Sequence, residues 1–332
     1  MVKHEIKKIT HYEYWPFWVF YFPLIPYYLW LSIKARSLLY FTATNPGIKF
    51  GGLFHYSKYK LQSALDLQNR PKHQFLGENE AQSFQLGLEI PVIAKPDFGE
   101  RGKNVELIEN QKHLQSYLNL HSKNIIFQEF IDLPIEIGIF YARFPHEKQG
   151  KILSITSKNF LTFVGDGETS LREFIESDSR AYFNKSYLYM KFHDKQDLIL
   201  PKGESLILEE IGNHNRGTYF YDGSHLISTE LEKIIHESVK NVDGFYFGRL
   251  DIKTKSLTDL MAGDFKILEI NASNSEATHI YDENYSLWKA YKEVCRHLKI
   301  QQEIGVENMK LGVKPTKLSI FIPELFKYLF KS

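Results

Sequence analysis

The sequence predicts an α+β fold, and three observations carry that expectation. Strand-like and helix-like runs are mixed along the chain instead of alternating regularly. Many of the connections between them are of hairpin length. Two short stretches, "GRLDIK" at 248–253 and "FKILEIN" at 265–271, alternate apolar and polar residues as the two arms of a hairpin do. With 332 residues, 43% of them hydrophobic and 24% charged, the chain is globular, long enough for one large domain or two to three small ones. A formal net charge of +1 and the absence of a basic stripe argue against a nucleic-acid partner. The single cysteine, Cys295, lies in a helix-like run, cannot form an internal disulfide, and reads as a structural thiol in a reducing compartment.

Taken in order, residues 1–45 form an apolar, aromatic N-terminal segment. Tyr14 to Ile33, "YWPFWVFYFPLIPYYLWLSI", carries no Asp, Glu, Lys, Arg or His and holds three of the four tryptophans. Its length approaches that of a bilayer crossing, and Trp, Tyr and the following Lys34 and Arg36 suit a membrane–water interface. Pro16, Pro23 and Pro26 would interrupt a continuous helix. Three readings stand: an interfacial or re-entrant anchor, a single span, or a buried core element. A cleaved signal peptide is not expected, because no small-residue cleavage site follows. Asn45 to Gly52 is turn chemistry and a domain boundary.

From Ser57 to Gly77 the pattern is polar and helix-like. "LEIPVIAKPDFGERGKNVELIE" reads as strand, glycine-bearing loop and strand. A helix follows at Asn110 to Leu120, then apolar strands at 124–131, 135–144 and 151–160. In "GDGETSLREFIES" a turn leads into a helix, with Ser170 and Glu173 spaced as a capping box. "EEIGNHNRGTYF" is polar; helices are expected at Ser228 to Val242 and Tyr285 to Leu298, and an amphipathic tail at 301–332. The expected organisation is the segment 1–45, a domain 46–300 divided near 127/128, and the tail. There is no internal repeat.

Three motifs can carry chemistry. In the hairpin, Arg249, Asp251, Glu269 and Asn271 share one face, and two carboxylates with an amide oxygen are hard ligands that suit Mg²⁺. An ordinary solvated polar face is the plain alternative. In "VIAKPDFGERGKNV", an apolar strand ends at Lys95, and Gly99, Arg101, Gly102 and Lys103 follow in a loop whose backbone amides could approach phosphate. It is neither a Walker loop nor a dinucleotide fingerprint. In "FQEFIDLPIE", a strand ends at Gln128 and Glu129, with Glu136 seven residues further on.

In this order, over Lys58 to Leu298, the motifs resemble the ATP-grasp superfamily, in its D-alanine–D-alanine ligase-like, carboxylate–amine ligase branch. "VGDGETSLREFI" is also similar to the amino-acid ligase domain of cyanophycin synthetase. The resemblance implies two α+β subdomains that grip ATP between antiparallel sheets, about 55–127 and 128–300. It implies phosphate contacts from Lys95, from Lys58 in "SKYK", and from the loop 97–103. Gln128, Glu129 and Phe130 would meet the adenine and Glu136 the ribose. Asp251, Glu269 and Asn271 would hold Mg²⁺ or Mn²⁺, and Arg249 would steady the transferring phosphoryl group. Arg216 is a further catalytic candidate, gripping a carboxylate or phosphate with its planar fork, with a surface turn as its alternative. Arg143, Lys158, His214, His279, Ser275 and Glu276 are substrate-side candidates.

The family's substrate loop carries proline and glycine where this chain has Asn274, Ser275 and Glu276, which puts D-alanine in question as substrate. The full N-terminal domain of those ligases is also missing, and the aromatic segment stands in its place. The reaction implied joins a small-molecule carboxylate to an amine through an acyl phosphate, on an amphiphilic substrate at the cytoplasmic side of a membrane. A soluble cytoplasmic location is the alternative. An ATP-grasp kinase and a non-catalytic, membrane-associated ATP-binding protein are the competing readings.

Overall fold

A computed structural model describes residues 2–78, 80, 84–99, 104–209, 212 and 217–330. The N-terminal segment is a run of short helices, α1 (Val2–Thr10), α2 (Phe17–Tyr21) and α3 (Ile25–Ala35), with a 3₁₀ turn at Phe22–Leu24. The three prolines do not break these helices. Pro16 precedes α2, while Pro23 and Pro26 fall in the first turns of the 3₁₀ turn and α3. There the missing N–H has no helical acceptor to lose. Helix α3 has 11 residues, so it is about 17 Å long against a hydrocarbon core of about 30 Å. No helix among the described residues is long and apolar enough to cross a membrane.

Helix α4 (Lys58–Ser63) leads to β1 (His73–Leu76), β2 (Val92–Pro96), β3 (Glu106–Ile108), α5 (Gln111–Leu120) and β4 (Ile125–Glu129). The helix expected over Ser57 to Gly77 is therefore only six residues long, and the rest turns at Pro71 into a strand that pairs with β4. These four strands form one antiparallel sheet in the order β1-β4-β2-β3, with a core of Leu76, Val92, Ala94, Ile108, Tyr117 and Phe127.

The second sheet is built from β5 (Ile135–Ala142) and β6 (Lys151–Asn159), and from β9, β10 and β11 further along the chain. Between them lie β7 (Thr162–Val164), α6 (Leu171–Ser177), α7 (Ser179–Phe183), α8 (Lys185–Lys191) and β8 (Ser205–Ile207). The capping box starts α6: the Ser170 hydroxyl accepts from the Glu173 amide, and the Glu173 carboxylate accepts from the Ser170 amide. Then come β9 (Tyr219–Asp222), α9 (Thr229–Val239), β10 (Phe247–Thr254), α10 (Leu257–Ala262), β11 (Lys266–Asn271), α11 (Leu287–Lys310) and α12 (Leu318–Phe330). The sheet order is β11-β10-β5-β6-β9, antiparallel throughout. One face packs on α9 and α10 through Ile137, Ile139, Leu250, Ile252, Ile235 and Leu260. The other faces the first sheet across a cleft of about 1010 Å³.

The fold is thus α+β, with antiparallel sheets on either side of a cleft, the architecture that the motif order implies. Helix α11 runs 12 residues past the expected end at Leu298. Its extension, α3 and α12 share one apolar cluster of Leu31, Tyr40, Phe50, Phe54 and Phe321. The two ends of the chain are joined there into the same body.

Candidate active site

The floor of the cleft is the inner face of the second sheet. Alternation along β10 puts Phe247, Arg249, Asp251 and Lys253 on it, and pairing brings Glu136 and Gly138 of β5 alongside. Gly138 leaves space for the arginine: a β-carbon there would lie 3.1 Å from Arg249 Cδ. Arg249 can therefore fold across the strand toward Asp251. Its Nε donates to Asp251 Oδ1 and its Nη2 to Oδ2, each at 3.1 Å. Lys158 of β6 donates to Asp251 Oδ1 at 2.9 Å and to Glu136 Oε1 at 2.7 Å, and the Asn271 amide donates to Asp251 Oδ2 at 2.8 Å. Asp251 thereby uses about all the lone-pair positions a carboxylate offers. Burial opposes its ionisation, but the Arg249 and Lys158 charges outweigh burial and hold the carboxyl well below its usual range. The same balance acts on Glu269, where Lys58 and Lys95 overcome burial and lower the pKa.

The opposite wall comes from the first sheet. Lys95, at the end of β2, is 6% exposed. Its Nζ donates to Gln128 Oε1 at 2.6 Å and to the Leu268 carbonyl at 3.2 Å, both neutral oxygens. Burial pulls its pKa down to about 8, with the Glu269 charge resisting. The Leu268 carbonyl is available because β11 bulges. Asp251 pairs with Glu269 but Ile252 pairs with Ile267, so Leu268 is the extra residue. Strict alternation from Ile270 would put Leu268 in the core; with the bulge Ile267 takes that place and Leu268 turns to the cleft. Helix α4 brings Lys58 to Glu269, Nζ to Oε1 2.7 Å. Asp97 fixes that helix by accepting from the Tyr59 amide at 2.7 Å and the Ser57 hydroxyl at 3.0 Å.

The structure brings together Lys58, Lys95, Gln128, Glu136, Lys158, Arg249, Asp251, Glu269 and Asn271, and Gly99, Glu129 and Phe130 line the same cleft. Glu129 has its amide and carboxylate turned to Lys72, at 2.9 and 3.0 Å. Glu136 is tied to Lys158 and packed beneath Gly212. In the loop after β11, the Ser275 hydroxyl donates to Ala272 O, and the Glu276 carbonyl accepts from Arg249 Nη1 at 3.1 Å. Arg143 is not brought to the site: alternation from Phe140 through Tyr141 and Ala142 sends it to the other face, over the Tyr246 ring. His279 is buried beside Glu293, at 3.8 Å, and does not line the cleft. Arg101, Gly102, Lys103, His214 and Arg216 lie outside the described residues.

Sequence reasoning missed several lining residues. Lys253 continues the alternation of Arg249 and Asp251 by one more step, a signal that was there to read. Tyr21 lines the cleft and donates to the Glu276 carboxylate, and Gln62, buried behind the lining, donates to Gln128 Oε1 at 2.9 Å. Both come from distant segments and carry no motif. A buried ion pair, Arg180 Nη2 to Glu13 Oε1 at 2.5 Å, ties the N-terminal segment to α7 at the cleft edge.

The donor types suit a hard cation, which Asp251 would take up by releasing one of its four present hydrogen bonds. Asp251 and Glu269 are carboxylates, and Asn271, having committed its nitrogen to Asp251, keeps its amide oxygen to offer. Among the described residues, no group of three or more His, Cys, Asp or Glu is placed to hold a metal ion.

No family model and no curated protein matches this sequence. Solved structures do. A bifunctional glutathione synthetase from Pasteurella multocida shares 15% identity at a TM-score of 0.40, over 73% of this chain and 35% of its own. A D-Ala:D-Ser ligase from Enterococcus faecalis shares 12% at 0.41, over 76% and 61%. A D-alanine–D-alanine ligase from Bacillus anthracis, complexed with ATP, shares 12% at 0.39, over 83% and 69%. The chain spans about a third of the synthetase's length and three fifths of the D-Ala:D-Ser ligase's.

Proposed function

We propose that the protein is an ATP-dependent carboxylate–amine ligase. One observation carries the reading: Lys95 is a buried cation whose hydrogen bonds go to neutral oxygens, held opposite a floor of Arg249, Asp251, Glu269 and Asn271. A buried ammonium without a directly bonded carboxylate is costly unless an anion uses it. A triphosphate is such an anion. Lys95 and Lys58 would bind its oxygens, and Arg249, Lys158 and Lys253 are the further charges at hand. Asp251, Glu269 and Asn271 would hold Mg²⁺ or Mn²⁺, which supplies Lewis-acid charge at the phosphate oxygens.

The reaction is a two-step acyl transfer. A substrate carboxylate oxygen attacks the γ-phosphorus, the bond to the bridging oxygen breaks, and ADP leaves with that electron pair. The amine then attacks the acyl carbon, phosphate departs, and the amine's proton passes to solvent. Arg249 donates to oxygens that gain negative charge in both steps.

Screening carboxylate and amine pairs for ADP release, with mass spectrometry of products, tests this. A ligase yields a new C–N bond and free phosphate, whereas a phosphorylated acceptor would mean a kinase. Glu269→Gln should slow turnover about 100-fold or more, the size of losing one group that stabilises charge in the transition state. Wild-type turnover in that variant would overturn the metal assignment.

We place the enzyme at a lipid surface. Helices α2, α3 and α12 turn a second face outward, with Trp18 71%, Ile33 76% and Phe330 78% exposed, and Lys34 and Lys327 on the same helices. Short amphipathic helices of this kind lie in an interface rather than cross it. The full chain should float with vesicles containing anionic lipid, and Trp18→Ser with Ile33→Ser should float less. If the full chain stays in the soluble fraction beside such vesicles, the placement is wrong.

A further inference from the structure

The floor of the cleft changes character at one residue. Along β10, Lys253, Asp251 and Arg249 are charged, and the next residue on the same face, Phe247, is not. Beside Arg249 and Phe247 stands Phe140 of β5, its ring 4.8 Å from that of Phe247. Helix α11 covers this end with Val294, His297, Leu298 and Gln301, spaced i, i+3, i+4 and i+7 as one helical stripe. The N-terminal segment supplies the outer wall. Phe20 stacks between Tyr12 and Tyr291, at 5.4 and 5.0 Å, and Tyr21 reaches the substrate-side loop at Glu276. All of these but Tyr291 line the same cavity as Lys95 and Asp251.

One polar group inside this apolar end is unsatisfied. His297 is 6% exposed, and neither ring nitrogen has a hydrogen-bond partner. Its neighbours are rings: Phe140 at 4.4 Å, edge to face, and His279 at 6.2 Å. Burial holds the imidazole neutral, its pKa well below the ordinary value. A neutral imidazole offers one donor and one acceptor, and leaving both unpaired in a buried site costs free energy that a ligand can recover.

We infer that this apolar end is the pocket for the carboxylate substrate. The substrate carries its carboxylate at Arg249, an aromatic or acyl body against Phe140, Phe247 and Phe20, and a hydroxyl at its far end that pairs with His297. The inference rests on the ligase reading above and names the substrate class for that site. Arg249 and Phe247 are two residues apart on one strand, about 7 Å. That is roughly the reach from a carboxylate to the far side of a ring on a short linker. A hydroxyl suits His297 because it can donate to one nitrogen or accept from the other.

The test is calorimetry on the full chain with two probes, 3-(4-hydroxyphenyl)propanoate and 3-phenylpropanoate, in the presence of Mg·ATP analogue. The hydroxylated acid should bind about tenfold more tightly, the worth of one recovered hydrogen bond. In His297→Phe the two acids should bind alike, and nucleotide affinity should be kept. Equal wild-type affinity for the two acids, or no binding of either, overturns the pocket assignment. So does a preference that survives in His297→Phe. The wild-type comparison decides the matter even if the variant does not fold. Nucleotide binding is read in the same titrations: its absence counts against the ligase reading, while the pocket is judged on the two acids alone.

Discussion

The two ends of the cleft floor lie on the same strands, within a few residues of each other, and obey different physics. At the charged end, Arg249, Asp251, Lys158 and Glu136 form a chain of ion pairs at 2.7 to 3.1 Å, in which Arg249 and Lys158 hold Asp251 ionised against burial. At the apolar end, Phe140, Phe247 and His297 meet ring to ring, and neither nitrogen of His297 has a hydrogen-bond partner. The contrast separates two jobs. Interlocked charges can redistribute toward a polyanion without leaving any charge bare, so the first end suits a nucleotide and its metal. An apolar cavity with one orphaned imidazole selects by shape and a single hydrogen bond, so the second end suits an organic substrate. Changes at the first end should therefore damage the reaction with every substrate, and changes at the second should alter which substrate is taken.

The largest expected effect tests the interlocking. Asp251→Leu removes the anion shared by Arg249 and Lys158 and should destabilise the protein by about 3–5 kcal/mol in urea unfolding, the cost of leaving buried charge uncompensated. By contrast, Phe247→Leu at the apolar end should cost only about 1 kcal/mol, because it trims volume without stranding charge. If the two cost the same, the ends do not differ as argued. Acid should act on both ends, through different groups: below the ordinary histidine range the unfolded chain protonates His297 while the fold keeps it neutral, so stability begins to fall there. Asp251 and Glu269 have depressed pKa values, so their stabilisation is present above the ordinary carboxylate range and is lost as pH falls below it. Unfolding followed against pH should show that loss in the wild type.

Alkali sharpens the comparison with a smaller effect. Lys95, pulled to about 8 by burial, loses its charge as pH rises through that value, and nucleotide affinity should fall with it. Folding stability should move the other way. Between about 8 and the ordinary 10.5, the unfolded chain holds a proton on Lys95 that the folded chain has released, so this group stabilises the fold more as pH rises. Calorimetric titrations of nucleotide across this range check the first trend, and urea unfolding checks the second.

Much of the charged end was legible in the sequence. Period-two alternation is local, so "GRLDIK" and "FKILEIN" were enough to set Arg249, Asp251, Glu269 and Asn271 on one face. The order of the motifs then set Lys95 and Gln128 opposite them. Alternation failed where the backbone is irregular. The bulge at Leu268 put Ile267 in the core and Leu268 on the cleft lining. Arg143 needed no irregularity: alternation from Phe140 already sends it to the other face. The apolar end was hardly legible, because it is assembled from residues 12–21, 140, 247 and 294–301, which no local pattern connects. The one available signal was a histidine and a glutamine on the apolar stripe of α11. The tryptophan-rich segment could be read as membrane, span or core. In the structure one face is core and cleft wall, the other is exposed, and no described helix is long enough to span.

The central claim is that the buried ammonium of Lys95 binds nucleotide at the charged end. Titrating Mg·ATP into the wild-type protein and into Lys95→Ala, at a pH below 8, tests it most directly. The account predicts saturable binding to the wild type and about 100-fold weaker binding to the variant, the scale of a lost charge-assisted contact in a site closed to water. Equal affinity in the two proteins would contradict it.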